Sequence, residues 1–580
     1  MTTQIHYTLA MTRPETHRFE VTLEVRGANT PYIDLTLPVW TPGSYLVREF
    51  ARHVEQFHAE TSDGNPLSWT RLNKGCWRIH LPMSREFRVR YEVYANDLSV
   101  RTSHLDTTHG YFNGANLFMY LDGFKEQPVT LEIQAPPGWH ASIALPQNGQ
   151  GWYEAESYDL LVDSPGEVGT HRVLRFEALG KPHEVALWGS GNEDEATLVR
   201  DLKQIVEGVA QMFEGQLPYE RYLFIVHLGD RLGGGLEHRN STTLAVDRWS
   251  FFPYSEYEKF LRLAVHEFFH VWLVKRIRPH NLGPFDYTQE VYTPLLWVME
   301  GFTTYYDVML LRRLGLVTTQ RCLDLLAERI AAYRLQPGRL IQSLEESSLT
   351  AWIKFYRQDE NYVNSGISYY LKGGLVALML DLHLRLSSQN KHSLDDVVCQ
   401  LWAQYGQRDV GFTPEEFLAV LAEIGGPEME GYLGRFARGM EELPLEAFLS
   451  AAGLELEGRC TDEMLPVWTG LSLKQEAGKL IVKHVLRDSP AERAGIMAND
   501  QLVALNGYQL TEEKFLTARL KEQRPGNTIT LHLFRYAMLT ETHLTLAPAP
   551  CDSALLRPIK NPTSLQRHIL ESWLKALGER

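Results

Sequence analysis

The spacing of apolar residues changes period twice along this chain, and those two changes limit its architecture more than any other feature. From residue 3 to about 185, short β-rich runs such as HRFEVTLEV, EFRVRYEVYA and PVTLEIQAP alternate with Pro-, Gly- and Asn-containing turns. That is the pattern of antiparallel sheet. Near Asn192 helical spacing begins with EDEATLVRDLKQIVEGVAQMF, followed by YLFIVHL, which suits a buried strand, and a glycine-rich turn, RLGGGLEHRNS. Ser255 and Glu258 predict a capping box that opens a helix over EYEKFLRLAVHEFFHVWLVKR, and helical patterns run on to about residue 453. Short strands return from about 464, and a Pro-containing linker near 548–562 leads to a last helix, SLQRHILESWLKAL. Such a chain is multidomain. The expected division is an N-terminal all-β domain over 1–185, an α/β to all-α domain over 186–455, a small β domain over 456–550 and a helical tail over 551–580.

Charge and cysteine usage narrow the class. With 57 basic and 72 acidic residues among 580, the net charge is −15, which argues against broad nucleic-acid binding. No stretch approaches the roughly 18 apolar residues of a membrane helix, so no membrane partner is expected. The first residues lack the pattern of a secretory leader and read as strand. Cys76, Cys322, Cys399, Cys460 and Cys551 are scattered, odd in number and without a Cys-x-x-Cys pair, so neither a disulfide framework nor a cysteine zinc site is expected. A reducing cytoplasm is the simplest home.

The chemistry lies in His266-Glu267-Phe268-Phe269-His270. On a helix, positions i and i+4 share a face, so both imidazoles reach one metal, with Glu267 beside them to act on water. With 21 histidines and 72 acids, a His-acid-x-x-His string arises by chance in fewer than about one chain in ten of this composition. Thirty residues on, Trp297-Val298-Met299-Glu300-Gly301-Phe302 offers a carboxylate on a second apolar helix. A catalytic zinc takes three protein ligands and keeps one position open, and a glutamate among such apolar neighbours is costly unless paired or metal-bound.

HEFFH followed by WVMEGFTTYY resembles the glutamate-zinc metallopeptidases. The intervening VKRIRPHNLGPFDYTQEVYTPLL, the upstream GGLEHRNS and the N-terminal strings VWTPGSYLVREFARHV and LDTTHGYFNGANLF narrow the likeness to the glycyl aminopeptidase family, over roughly residues 5–548. The resemblance implies a thermolysin-like catalytic domain and one zinc ion per chain held by His266, His270 and Glu300, with Glu267 as general base and then acid. It also implies removal of N-terminal residues from peptides, with a preference for small ones, Gly or Ala.

Tyr370-Leu371-Lys372-Gly373 is similar to the segment that supplies a catalytic tyrosine in the related alanyl aminopeptidases, which implies that role for Tyr370, with Tyr369 as the alternative; otherwise both rings pack in a helical core. Gly233-Gly234-Gly235-Leu236-Glu237-His238 resembles their exopeptidase motif, with Leu and His replacing Met and Asn. Glu237 is then the α-amine anchor and Gly234, Gly235 and Leu236 the backbone that a substrate pairs with, or Glu237 is a solvated loop acid. Lys275, Arg276 and Arg278 either meet a substrate carboxylate or neutralise acids of the site, or they complement the dipole of the preceding helix. Asp106, Tyr111, Asn113 and Asn116 are candidates for the cleft wall.

Ser489-Pro490-Ala491-Glu492-Arg493-Ala494-Gly495 and the strings around it resemble a PDZ domain, with Gly470-Leu471-Ser472-Leu473 as the carboxylate loop and strand. Such a module either binds extended C-terminal peptides by strand addition or docks to shape the cleft. Two competing functions remain at this stage: a zinc endopeptidase with PDZ-guided substrate capture, and a non-catalytic PDZ-bearing peptide-binding scaffold.

Overall fold

The structure, a computed structural model, describes residues 3–81, 86–459, 465–551 and 553–576; Cys460 and the last four residues of the tail lie outside them. The chain forms two compact units, residues 1–293 with 398–413, and residues 294–397 with 414–580. It is multidomain, with an N-terminal β-rich domain, a central helical domain and a C-terminal PDZ β domain. No helix among the described residues is long and apolar enough to cross a membrane.

In the first unit, a six-stranded sheet is ordered 153–155, 129–134, 4–10, 18–26, 86–94, 54–61. Its strands Arg18–Arg26 and Glu86–Tyr94 bury every second residue, so Phe19, Val21, Leu23 and Val25 meet Phe87, Val89, Tyr91 and Val93 in one core. Beyond it lies a mixed sheet of β1 (Arg172–Ala178), β2 (Lys181–Trp188), β3 (Tyr222–Gly229), β4 (Gly233–Glu237) and β5 (Ser241–Asp247), with helix α1 (Glu195–Gln211) connecting β2 to β3. The spatial order is β1-β2-β3-β5-β4. The central β3 is buried at all eight positions, as a parallel strand covered on both faces must be. Residues 233–237, expected as a turn, instead form the edge strand, antiparallel to β5 with Gly235 opposite Leu244 and Glu237 opposite Thr242.

Helix α2 (Tyr254–Phe269) carries His266, with His270 as its C-cap. The expected capping box is absent: Pro253 is the N-cap, no side chain caps the helix, and Ser255 already lies within the first turn. Proline serves here because its fixed φ and missing N–H cost nothing at a helix start. The helix is also shorter than the sequence pattern suggests. It stops at Phe269 because the chain folds back, with Val274 at φ 114°, a conformation that a β-branched residue holds only under constraint. Arg276 supplies that constraint, its guanidinium donating to the carbonyls of Val271 (2.7 Å), Pro218 (2.6 Å) and Arg239 (3.1 Å).

In the second unit, α3 (Leu296–Arg313) and α4 (Leu371–Ser387) cross through glycines. A Cβ on Gly301 would lie 2.6 Å from the Gly373 Cα, and one on Gly373 would lie 2.9 Å from the Trp297 carbonyl oxygen. The PDZ sheet runs 471–476, 479–485, 501–505, 528–535, 538–545 around Leu480, Val482, Leu502, Ile529, Leu531 and Leu533. The linker expected near 548–562 contains a strand, Ser553–Pro558, which pairs with Leu454–Arg459, so the module is tied at both ends. The final helix, Ser564–Trp573, buries Trp573, whose indole N–H donates to the Tyr305 hydroxyl (2.8 Å). Asn364 clamps the PDZ domain, donating from Nδ2 to the Val485 carbonyl (2.8 Å) and accepting from the Arg487 N–H (2.8 Å).

Candidate active site

His266 and His270 lie one turn apart on α2, with ring centroids 4.8 Å apart and planes nearly perpendicular. The fold-back after the helix fixes one tautomer: His270 Nδ1 donates to the Leu273 carbonyl at 2.6 Å, which leaves Nε2 with a lone pair. The strained Val274 follows directly, so the backbone distortion holds the carbonyl that orients the ring.

Edge strand β4 brings the second half of the site. Glu237, Glu267 and His270 are all buried, and their carboxylate and imidazole donor atoms lie within 4.8 Å of one another. Two of the glycines in this strand have separate reasons. Gly234 adopts φ 112°, whereas a Cβ on Gly235 would fall 2.2 Å from Glu267 Oε1. Leu236 anchors the strand in a small core with Val100 and Ala245. Gly43, at φ 84°, packs against the other carboxylate, where a Cβ would lie 2.6 and 2.7 Å from the Glu237 oxygens.

A buried charge network backs Glu237. Asp163 accepts from Lys275 Nζ (2.7 Å), the Arg239 N–H (2.9 Å) and His238 Nδ1 (3.1 Å). Burial alone would raise the Asp163 carboxyl; the Lys275 ammonium and His238 outweigh it and hold the carboxyl at about 2. Arg239 and Arg278 both pair with Asp409. Burial, and then the nearby Arg239 charge, push the Arg276 guanidinium down to about 9. The basic cluster thus neutralises acids and carbonyls of the scaffold. A cleft of about 430 Å³ passes Glu237, lined also by Gly43, Tyr45, Asp163, Lys275 and Asp409.

The β-domain candidates do not line this cleft. Tyr111 is fully buried and donates to Thr243 Oγ1 (3.1 Å), Asn113 caps a short helical turn, Asn116 donates to the Arg101 carbonyl, and Asp106 closes the 106–109 turn. Sequence reasoning missed Asp163, Asp409 and Gly43; only Gly43, within Pro42-Gly43-Ser44, carried a local turn signal.

Glu300 and Tyr370 belong to the second unit. Glu300 is buried on α3 beside Gly301, and Tyr370 occupies the N-cap position of α4, three residues before Gly373. The Gly301–Gly373 approach therefore ties the two motifs together. Tyr370 is half-buried and stacks on Phe355 at 5.5 Å, while Tyr369 is fully buried.

Comparison with known proteins agrees with this arrangement. Residues 6–170 match the Peptidase M61 N-terminal domain, 259–376 the M61 glycyl aminopeptidase family and 469–546 a PDZ domain. An aminopeptidase N from Caulobacter vibrioides is 28% identical over 243 residues, 40% of this chain, and the match spans only 25% of that relative. The crystal structure of an aminopeptidase N family protein from Idiomarina loihiensis is 33% identical, covers 99% of this chain and 100% of its own, and superposes with a TM-score of 0.93. With both M61 segments and the PDZ domain matched and a 33% identical structure superposing over its whole length, the chain belongs to the M61 glycyl aminopeptidase family.

Proposed function

We propose that this chain is a zinc-dependent aminopeptidase that removes single, small N-terminal residues, Gly or Ala, from peptides. The observation that carries this reading is the buried cluster of Glu237, Glu267 and His270 at an edge strand. It sets a second carboxylate beside the proposed base, where the α-ammonium of a peptide lying along β4 would be neutralised, and an endopeptidase has no use for such an anchor.

The donors suit zinc. His270 presents Nε2 because Nδ1 is committed to Leu273, His266 shares its face, and Glu300 is assigned as the third ligand from its Trp-x-x-Glu-Gly-Phe setting. When bound, the metal supplies Lewis-acid polarisation of the scissile carbonyl and a water acidified toward neutrality. The chain's own residues do the rest. Glu267 Oε1 or Oε2 takes the proton of the attacking water and returns it to the leaving amine. Glu237 holds the substrate ammonium, and the backbone of Gly234, Gly235 and Leu236 aligns the peptide. The Tyr370 hydroxyl donates to the developing oxyanion, a contribution typically of about 3 kcal/mol.

The proposed division of labour follows residues 1–185, 186–455, 456–550 and 551–580, with catalysis in the second. For the PDZ domain, its edge strand Leu471–Glu476 supports capture of extended C-terminal segments, and the Asn364 clamp supports docking. The scattered, odd-numbered cysteines without a Cys-x-x-Cys pair support a reducing, cytoplasmic setting.

The test compares free with N-acetylated peptides in the parent and in Glu237→Ala. The parent should cleave only free termini, and Glu237→Ala should lose at least about 100-fold in kcat/KM on them, the loss expected when a buried charge pair is broken. Equal parent rates on free and blocked peptides would overturn the assignment. In Glu267→Gln, hydrolysis should collapse while bound zinc persists.

A further inference from the structure

A second histidine–carboxylate constellation lies in the β-rich part of the first unit, in residues that the proposed chemistry does not use. Strands His104–Leu105 and His109–Phe112 pair across a short turn, so His104, Asp106 and His109 occupy a His-x-Asp-x-x-His hairpin. Their donor atoms lie within 4.8 Å of one another. His104 Nδ1 and His109 Nε2 are 3.1 Å apart, close to the spacing of about 3.3 Å that two imidazoles take around one tetrahedral ion at 2.0–2.1 Å.

What lies behind His109 distinguishes this pair from an ordinary histidine contact. Its Nδ1 donates to Glu167 Oε1 at 2.7 Å, so Nε2 turns its lone pair toward His104 Nδ1. Glu167 is fully buried and held at its other oxygen by His227 Nε2 (2.9 Å), and the His109 ring is stacked on Trp188 at 3.8 Å. A carboxylate that fixes ring and tautomer behind a coordinating imidazole is the support that histidine metal ligands ordinarily have. Asp106 uses Oδ1 for the turn, accepting from Thr108 N–H (2.7 Å), Thr108 Oγ1 (2.6 Å) and His109 N–H (3.1 Å), which leaves Oδ2 for another partner. His104 and Asp106 are only half-buried, so a cation has access from solvent, while His109 forms the buried floor.

We propose that His104 Nδ1, His109 Nε2 and the Asp106 carboxylate bind a second divalent transition-metal ion of zinc type, distinct from the ion at His266 and His270. Two imidazoles and one carboxylate favour zinc, cobalt or nickel over magnesium or calcium. The ion's role is structural: it locks the 104–109 hairpin onto the Glu167–His227 pair, and so onto β3.

The full-length chain is stripped with chelator, dialysed against zinc in metal-free buffer and assayed for bound zinc by mass spectrometry. The parent should hold about two equivalents, with about one left in His104→Gln, about one in His266→Ala/His270→Ala and none when all three changes are combined, since each site loses its affinity with its ligands. Asp106→Asn serves as an independent variant, and circular dichroism confirms folding of each. Zinc should also raise the melting temperature of His266→Ala/His270→Ala but not of the combined variant. A parent holding one equivalent that His104→Gln leaves unchanged would overturn the proposal, and the His104–His109 contact would then be a plain hydrogen bond. If His266→Ala/His270→Ala instead kept the parent's full zinc content, the catalytic assignment would fail while this one stood.

Discussion

Replacing Gly235 by alanine isolates the placement of the proposed base from its chemistry. The new Cβ would lie 2.2 Å from Glu267 Oε1, 2.4 Å from Cδ and 2.5 Å from Cγ. An ordinary van der Waals contact begins near 3.4 Å, so either the carboxylate or strand β4 must give by about 1 Å. A displacement of that size at a reacting group costs about 100-fold in rate, or roughly 2.7 kcal/mol of activation free energy. The expected result is therefore a kcat about 100-fold lower on peptides beginning with Gly or Ala, with zinc content and melting temperature near those of the parent. Gly233→Ala is the internal control, because a Cβ there meets nothing within 4 Å and its backbone needs no positive φ; its kcat should stay within about twofold. Steady-state kinetics of both variants beside Glu267→Gln decide the matter. If Gly235→Ala retained kcat within about threefold while Glu267→Gln was inactive, the idea that this strand sets the position of the base would be wrong.

Three further outcomes are expected. Tyr370→Phe should lower kcat by about 100- to 1,000-fold with little change in KM, as loss of an oxyanion donor does, while Tyr369→Phe stays near the parent; the reverse ranking would transfer the role to Tyr369. Gly301→Ala forces a methyl to within 2.6 Å of the Gly373 Cα and should destabilise the helical part of the second unit by about 1–3 kcal/mol, read by chemical denaturation. In acid, Asp163 has its carboxyl lowered from 3.8 to about 2 in the folded chain, so its contribution is complete above the unfolded value and is lost as pH falls from about 4 to 2. That contribution is about 2 kcal/mol, and Lys275→Met should abolish most of this pH dependence in urea melts; an unchanged acid profile would remove Asp163 as its source.

Local signals in the sequence reported local neighbours well. His266 and His270 share a helical face because they are four apart, and Glu237 shares a short strand with Gly235, which makes room for Glu267. Features built from distant segments left no such trace. Asp163 ends a short helix 112 residues before Lys275, and Asp409 reaches Arg239 and Arg278 from the returning segment 398–413. Charged residues on irregular segments have no period, so their pairing is set only when the fold closes. The two misjudged helix ends have separate causes. Ser255 and Glu258 have the spacing of a capping box, but the rigid Pro253 starts the helix before them; VWLVKR continues the apolar pattern, but Arg276 collects carbonyls from three segments and turns the chain at Val274. A rigid proline at one end and tertiary hydrogen bonds at the other overrode propensity, as they do when they outweigh a few tenths of a kcal/mol per residue.

The glycines of the first unit also say what the cluster is built to receive. Gly43 lies against the Glu237 carboxylate and Gly235 against that of Glu267, so any larger side chain at either position would push a carboxylate out of place. The two carboxylates are thereby kept buried within 4.8 Å of each other. Two like charges at that distance repel by about 3 kcal/mol at an effective dielectric constant of 20, and their burial adds to the cost. Lys275, which lines the same cleft as Glu237, is committed to Asp163. A scaffold that holds two acids together at such cost stores binding free energy for a cation. Of the cations in the proposed reaction, the peptide's α-ammonium is the one that arrives and leaves with each turnover. Under the proposed function, the rigid glycine cradle then serves exopeptidase selectivity by holding Glu237 and Glu267 where that ammonium binds, and not stability alone.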